Sequence, residues 1–420
     1  MKGRNSFFKS NLLTEVFALT FILVFSFTTF AQEGEKDNRY GGYARLYSLG
    51  SNPYVVDPDN IKLNPAYSSV YSNFLWGDIG SNNGNPEDGS GQFAGVNFGV
   101  GNGITLGMLL TRNDFMSSSI GSLDPRGLVN SINDFYEGDV IVPLNNNLEL
   151  LGSYQFGNYV VGLGVSYASS NQEYTPATGN ADEGTASQFG VNLGLLGKVA
   201  PGFDFNVGFS LLMPSASYNP GADGEPTVEA SNTFILANAR AFVALSNKFS
   251  LVPAVDFYTG SGSFDVGGTS NDLPSVMGVG VGVGLQYKVG SLLIAGGPAF
   301  FYDSETESST ETTPELSSSS LTFPAWNLGA EWGFTEWLYG RLGYVARTFS
   351  STFESPAGTT EINEFNRTGF GEGDVRLGVG LRLGGFNLDA TVNDDVLRQG
   401  FNLVGGGVRT FAYLSASYAF

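Results

Sequence analysis

Nine charged residues fall on one side-chain phase of a chain that is only 14% charged: Arg240, Arg341, Arg347, Arg376 and Arg382, with Asp204, Asp256, Glu331 and Asp389. Each stands in a run where apolar residues alternate with small or polar ones, and each takes the non-apolar phase. Guanidinium groups bind carboxylates or an anionic head group through paired N–H donors. Both signs around an open pore would set ion selectivity. A third outcome is pairing with one another or with a plug. Catalysis fits poorly. The chain has no histidine, so Ser-His and Asp-His arrangements are excluded, and no inward acid pair stands out by spacing. It has no cysteine, which removes thiol chemistry, disulfides and acylation on cysteine. No cofactor or dedicated metal site is expected. Gly278, Gly280, Gly282 and Gly284 sit at nucleotide-loop spacing, but no helix pattern follows them. Glu87-Asp88 and Asp394-Asp395 hold too few ligands for calcium and read as solvated loop acids, where cations would bridge to lipopolysaccharide phosphates.

The elements that must position the nine charges are strands. Val279, Val281, Val283, Leu285 and Tyr287 form one face of a period-two run, and the four glycines form the other. Val375, Leu377, Val379, Leu381 and Leu383 repeat the pattern, with Arg376, Gly378, Gly380 and Arg382 opposite. Such segments of ~10 residues match a tilted crossing of an outer membrane. Seven very short turns pair them: Gly101 to Gly103, Gly157-Asn158, Ala200 to Gly202, Ser246 to Lys248, Gly290-Ser291, Thr335-Glu336 and Gly384-Gly385. With one strand near Tyr71 to Gly80 and a last one near Arg409 to Phe420, the count is sixteen, or fourteen if a weak pair is misread.

The fold class is therefore all-β, a transmembrane antiparallel up-and-down barrel, with short turns periplasmic and long polar loops outside. An immunoglobulin-like sandwich would need continuously apolar inner faces and less glycine than the 58 residues here. Phe156, Tyr159, Phe203, Phe249, Tyr287, Phe334, Trp337 and Phe386 flank the short turns as an interfacial girdle. A charge facing lipid at mid-membrane would cost ~2 to 4 kcal/mol, so the inward phase of all nine supports the register. Phe93, Leu109, Leu196, Leu212, Phe242, Val252 and Tyr258 are inward too, giving a mixed lumen.

The ends agree. Lys2, Arg4 and Lys9 precede an apolar run from Val16 to Phe30 and then Ala31-Gln32, which reads as a secretory signal over residues 1–31 rather than an anchor. In Phe411 to Phe420, the residues Ala412, Leu414, Ala416, Tyr418 and Phe420 face lipid, while Ser415, Ser417 and Ala419 face inward. Such a strand, ending on an aromatic, is what the barrel-assembly machinery would engage. The whole chain carries −20, and the part after residue 31 carries −22, which argues against nucleic acid.

Residues 32–70 precede the barrel of residues 71–420 and do not alternate. They hold Arg45 to Gly50 and then Asp57 to Ala66, rich in turn formers. The Asn64-Pro65-Ala66 element shortly before strand one, the segment before it and the barrel length resemble the long-chain fatty-acid transporter (FadL-like) family. That resemblance implies an amino-terminal hatch plugging the lumen, and passive passage of hydrophobic or amphipathic small molecules such as fatty acids, often sideways into the outer membrane. It carries over to Asn64, Pro65 and Ala66 and to the layout. The expected partners are outer-membrane lipid and lipopolysaccharide, the assembly machinery and a hydrophobic ligand, in a Gram-negative outer membrane. The alternatives are a general diffusion porin, and a structural or protein-secretion partner barrel with a sealed lumen. Among the loops, Asp303 to Ser320 reads as a mobile acidic connection. Asp124-Pro125 starts a short helix carrying Leu128, Val129 and Ile132, either as an apolar landing site at the outer mouth or packed down over the rim.

Overall fold

The computed structural model describes residues 39–80, 91–112, 119–177, 179–221, 225–307, 316–356, 362–371, 373–392 and 410–420. The expected signal segment and the acid pairs Glu87-Asp88 and Asp394-Asp395 lie outside them. Alternation produces a single wall. Its strands are β1 (Phe74–Gly80), β2 (Gly91–Gly101), β3 (Ile104–Arg112), β4 (Asn146–Phe156), β5 (Tyr159–Tyr174), β6 (Asp182–Ala200), β7 (Phe203–Asn219) and β8 (Val228–Ala244). They continue as β9 (Phe249–Val266), β10 (Thr269–Val289), β11 (Leu292–Glu307), β12 (Leu316–Gly333), β13 (Leu338–Pro356), β14 (Ile362–Phe370), β15 (Asp374–Leu383), β16 (Phe386–Val392) and β17 (Phe411–Ala419). All neighbours are antiparallel, and β17 pairs with β1 from Phe74↔Ala419 to Gly80↔Tyr413, so the sheet closes on itself with no open edge along the seam.

Seventeen strands make sixteen staves. β13 pairs with β14 through Thr348 to Pro356 and with β15 through Leu338 to Val345, so β14, ending at Phe370, and β15, starting at Asp374, are two lengths of one stave. The seven short turns each join a consecutive pair. Strand length departs from expectation: β10 runs 21 residues and β6 runs 19, against ~10 needed to cross the membrane. The staves continue past the lipid because the ladder still satisfies the backbone there, and on β5 to β8 the inward face stays apolar at Ala168, Ala186, Ala216 and Val228. The expected acidic loop is shortened accordingly, since Asp303 to Glu307 pair with Ser320 to Leu316 in β11 and β12, and Arg126 bonds Glu305 there at 3.0 Å.

Inside the ring lies an inner segment, residues 39–72. It contains α1 (Tyr43–Ser48), a 3-10 turn (Pro58–Lys62) and α2 (Tyr67–Val70). Helix α1 packs on β13, β15, β16 and β17, and α2 on β3, β4 and β5, so the segment touches opposite walls. Leu49, Tyr54 and Ile61 are buried in it, and Tyr67, Tyr71, Phe74, Trp76 and Phe93 join one apolar cluster across the junction with the wall. Asp57 caps the 3-10 turn: its carboxylate accepts from Asp59 N, Asn60 Oδ1 accepts from Asp57 N, and Pro58 takes the first position, where no N–H is needed.

From residue 119 on, the connection between β3 and β4 also turns inward. Helix α3 (Leu128–Phe135) begins later than the Asp124-Pro125 start expected, because the Asp124 carboxylate stands before it and accepts from Leu128 N and Val129 N at 2.8 and 3.0 Å. Leu128, Val129 and Ile132 are buried against Ile141, Ala168, Ala216 and Val228, so the apolar face is packed down into the barrel mouth rather than open as a landing site.

Candidate functional site

The wall turns hydrogen-bond donors onto the backbone of the inner segment. Asn97 donates to Tyr71 O at 3.0 Å, Asn192 to Lys62 O at 2.7 Å, Asn327 to Gly50 O at 2.6 Å and Gln286 to Tyr54 O at 3.3 Å. From the segment side, Asn52 donates to Ala295 O at 2.8 Å. Irregular backbone at membrane depth needs such partners, and inward asparagines supply them. Asn64 shows why the Asn-Pro-Ala element has its composition. Its Nδ2 donates to Val207 O at 3.0 Å and Leu195 O at 3.3 Å, while its Oδ1 accepts from Ala66 N at 3.0 Å.

Inward glycines let the two backbones meet. A Cβ added at Gly194 would lie 2.0 Å from Asn64 Oδ1, and one at Gly162 would lie 2.2 Å from Ala66 N. On the opposite wall a Cβ at Gly343 would reach Gly50 N at 2.4 Å, and the Gly282 and Gly284 positions face the Tyr54 ring. The Gly278 to Gly284 repeat thus leaves lumen volume, part of which Tyr54 occupies.

A chain of charges ties the segment to the wall. Arg45 on α1 donates Nε to Glu331 Oε2 at 2.9 Å, Nη2 to Glu331 Oε1 at 3.0 Å and Nη1 to Asp57 Oδ2 at 2.9 Å. Glu331 also accepts from Arg341 Nε at 2.5 Å. Arg341 and Arg382 then meet Asp389 Oδ1 at 2.6 and 2.9 Å, as ion pairs by distance without hydrogen-bond alignment. The six groups are three basic and three acidic, and Arg45, Asp57, Glu331, Arg341 and Asp389 are all under 5% exposed. Burial pushes the Asp57 carboxyl up to about 7, against the pull of Arg45 and of the Asp59 amide.

The remaining sequence-predicted charges fall around this core. Arg240 donates to Pro53 O at 2.8 Å, Val55 O at 3.0 Å, Asn60 Oδ1 at 3.1 Å and the Tyr67 hydroxyl at 3.0 Å. Arg376 bonds Asp374 and Ser51 and lies 3.9 Å from the Tyr47 ring centroid. Arg347 stands farther out, 5.8 Å from the Phe301 centroid. Asp204 and Asp256 line two separate cavities. Of the inward apolar set, Phe93, Leu109, Leu212 and Val252 are buried, with Leu196 and Phe242 packed against core clusters.

Those cavities lie along the inner segment. An upper chamber of about 360 Å³ is lined by Tyr43, Asn64, Asn206, Asn238, Asp256 and others, and a lower one of about 820 Å³ opens among the short-turn residues Asn158, Gly290 and Ser291. Asn206 and Tyr67 line both, so the Arg240–Tyr67 hydrogen bond stands at the partition.

Sequence reasoning missed Arg45, Asp57 and Lys62, which no periodicity assigns to a face. Asp78 and Glu149 share the inward phase of Trp76 and Leu151 and were findable by the same alternation. Asp78 matters for docking: with Ser415 it holds the first amides of α1, accepting from Tyr43 N at 2.9 Å while Ser415 Oγ accepts from Ala44 N at 2.8 Å.

No protein-family profile matches the chain, and no curated protein matches it. Among solved structures, it is similar to the FrpB iron transporter (F3-3 variant) of Neisseria meningitidis, at 12% identity and TM-score 0.38, covering 78% of this chain and 62% of that one, so it spans less than two thirds of that transporter's length. It is similar to the Pseudomonas putida toluene transporter TodX at 12% identity and TM-score 0.36, covering 91% and 99% of the two chains. It is also similar to a Pseudomonas aeruginosa FadL homologue, at 13% identity and TM-score 0.42, covering 88% and 96%.

Proposed function

We propose that this chain is a passive outer-membrane conduit for small amphipathic molecules, with residues 39–72 as its plug. The observation that carries the reading is the pair of chambers flanking the inner segment, joined at a partition of Asn206, Tyr67 and Arg240. An open general porin is disfavoured, because a segment touching opposite walls fills the lumen. Leu46, Pro53, Leu63 and Ala254 beside Asn206 and Asp256 suit a ligand with one apolar and one polar end better than a purely hydrocarbon cargo. The setting is a Gram-negative outer membrane, reached after removal of residues 1–31, with lipopolysaccharide around the wall and the assembly machinery reading the strand that ends on Phe420.

Influx into proteoliposomes tests the reading. Hexyltrimethylammonium or hexanesulfonate should enter faster than into protein-free vesicles, and Arg240→Ala should raise the rate by loosening the partition. Influx of both ions at the protein-free rate, in the native and Arg240→Ala proteins alike, would sink it. The sealed-partner reading draws on one observation, the fully paired Arg45 latch, and predicts that second result.

A further inference from the structure

The upper chamber distributes its charge unevenly. Its cations are engaged: Lys62 is ion-paired with Asp59, and both terminal nitrogens of Arg240 donate to the inner segment. Its acceptors are not. Asn206 is 4% exposed and its amide has no hydrogen-bond partner among the described residues, and the Asp256 carboxylate lines the same space with no hydrogen bond or ion pair among those residues either. Asn238 donates to Leu63 O at 3.4 Å and keeps its side-chain oxygen unused among the described residues. These groups come from adjoining rows of β7, β8 and β9, with Asn206 opposite Arg240 and Asp256 opposite Asn238. The rest of the lining includes Leu46, Pro53, Leu63, Ala239 and Ala254.

A carboxylate that Arg240 reaches only through space, with no ion pair among the described residues, favours a cation, and unpaired amide oxygens favour N–H donors. An anion could use the Asn206 N–H donors, but it would meet the Asp256 and Asp59 carboxylates with both neighbouring cations already engaged. We propose that the upper chamber binds the ammonium end of small alkylammonium-type amphipaths, with Asp256 as counter-ion, Asn206 and Asn238 as acceptors, and the hydrocarbon against Leu46, Pro53 and Leu63. This rests on the conduit reading and names its substrate class. It also reverses the expectation that lumen arginines receive an anionic end, since Arg240, the arginine of this chamber, is committed to the plug.

The test is calorimetric titration of the purified full chain in non-ionic detergent with hexylammonium and, separately, hexanesulfonate. Hexylammonium should bind at one site and hexanesulfonate should not. Asp256→Asn should weaken binding by about tenfold or more, the scale of a lost hydrogen bond to a charged group, and Asn206→Asp should tighten it. Glu183→Gln, an exposed acid at the outer end of β6, should change nothing. Absence of hexylammonium binding, equal binding of hexanesulfonate, or unchanged affinity in both the Asp256 and Asn206 variants overturns the proposal. The influx assay separates the two failures: influx with hexanesulfonate binding leaves the conduit and removes the ammonium site, whereas binding without influx removes the conduit.

Discussion

Replacing Arg45 with alanine removes a guanidinium that touches both Glu331 on the wall and Asp57 on the plug through three charge-assisted bonds of 2.9 to 3.0 Å. Removing one partner of a buried pair costs about 3 to 5 kcal/mol, chiefly because the other charges stay buried without it. Arg341 remains on Glu331 at 2.5 Å, which places the loss at the lower end. At about 1.4 kcal/mol per factor of ten, about 3 kcal/mol corresponds to roughly a hundredfold rise in the undocked fraction. The chain has no cysteine, so one thiol can report on it without background. Ser48 is fully buried and close to isosteric with cysteine, and it faces Gly378 of β15. In a Ser48→Cys protein, maleimide labelling should proceed roughly a hundredfold faster once Arg45→Ala is added, with the barrel still heat-modifiable on gels. Arg45→Lys keeps the charge but loses the two-pronged contact, and should fall between. Equal labelling rates with arginine and alanine at position 45 would refute the latch.

Other expectations follow from the same contacts. Gly194→Val should displace the Asn64 to Ala66 turn, whose Oδ1 lies 2.0 Å from the added Cβ, so protease should cut within residues 39–72 while the barrel resists. Asn192 donates to Lys62 O at 2.7 Å and to Ser119 Oγ at 3.2 Å, so Asn192→Ala should cost about 1 to 3 kcal/mol and raise hydrogen exchange in both the plug and the loop after β3; a change in only one of them would disprove the coupling. The docked Asp57 carboxyl, raised to about 7, binds a proton more tightly than a freed one near 4. Its contribution to docking is complete below the lower value and is lost as pH rises through the upper one. Channel openings of the Arg45→Lys protein should therefore be rarer at pH 5 than at pH 8, and Asp57→Asn should remove the difference.

The wall was legible because lipid on one side imposes period two, and residues such as Val279 to Tyr287 obey it without exception. Its upper extent was not. Ser317 to Ser320 and Thr352 stand in ladders beyond the lipid, where both faces are polar and alternation disappears. The interruption between β14 and β15 was hidden for the same reason. Helix α3 was legible from Leu128, Val129 and Ile132, but its start was not, because Asp124 caps from three residues outside the helical turn. For the site, phase placed Glu331, Arg341 and Asp389 on the lumen side but named no partners. Those depend on Arg45, which belongs to an aperiodic segment whose fold is set by the wall's asparagines and glycines rather than by its own propensity.

The central claim is that residues 39–72 fill an otherwise conducting barrel. Single-channel conductance in planar bilayers tests it most directly, comparing the chain from residue 32 onward with the same chain lacking residues 39–69. The full chain should stay closed and the shortened one should open in large, stable steps. Steady large conductance from the full chain, or silence from a shortened chain that is still heat-modifiable, would contradict it.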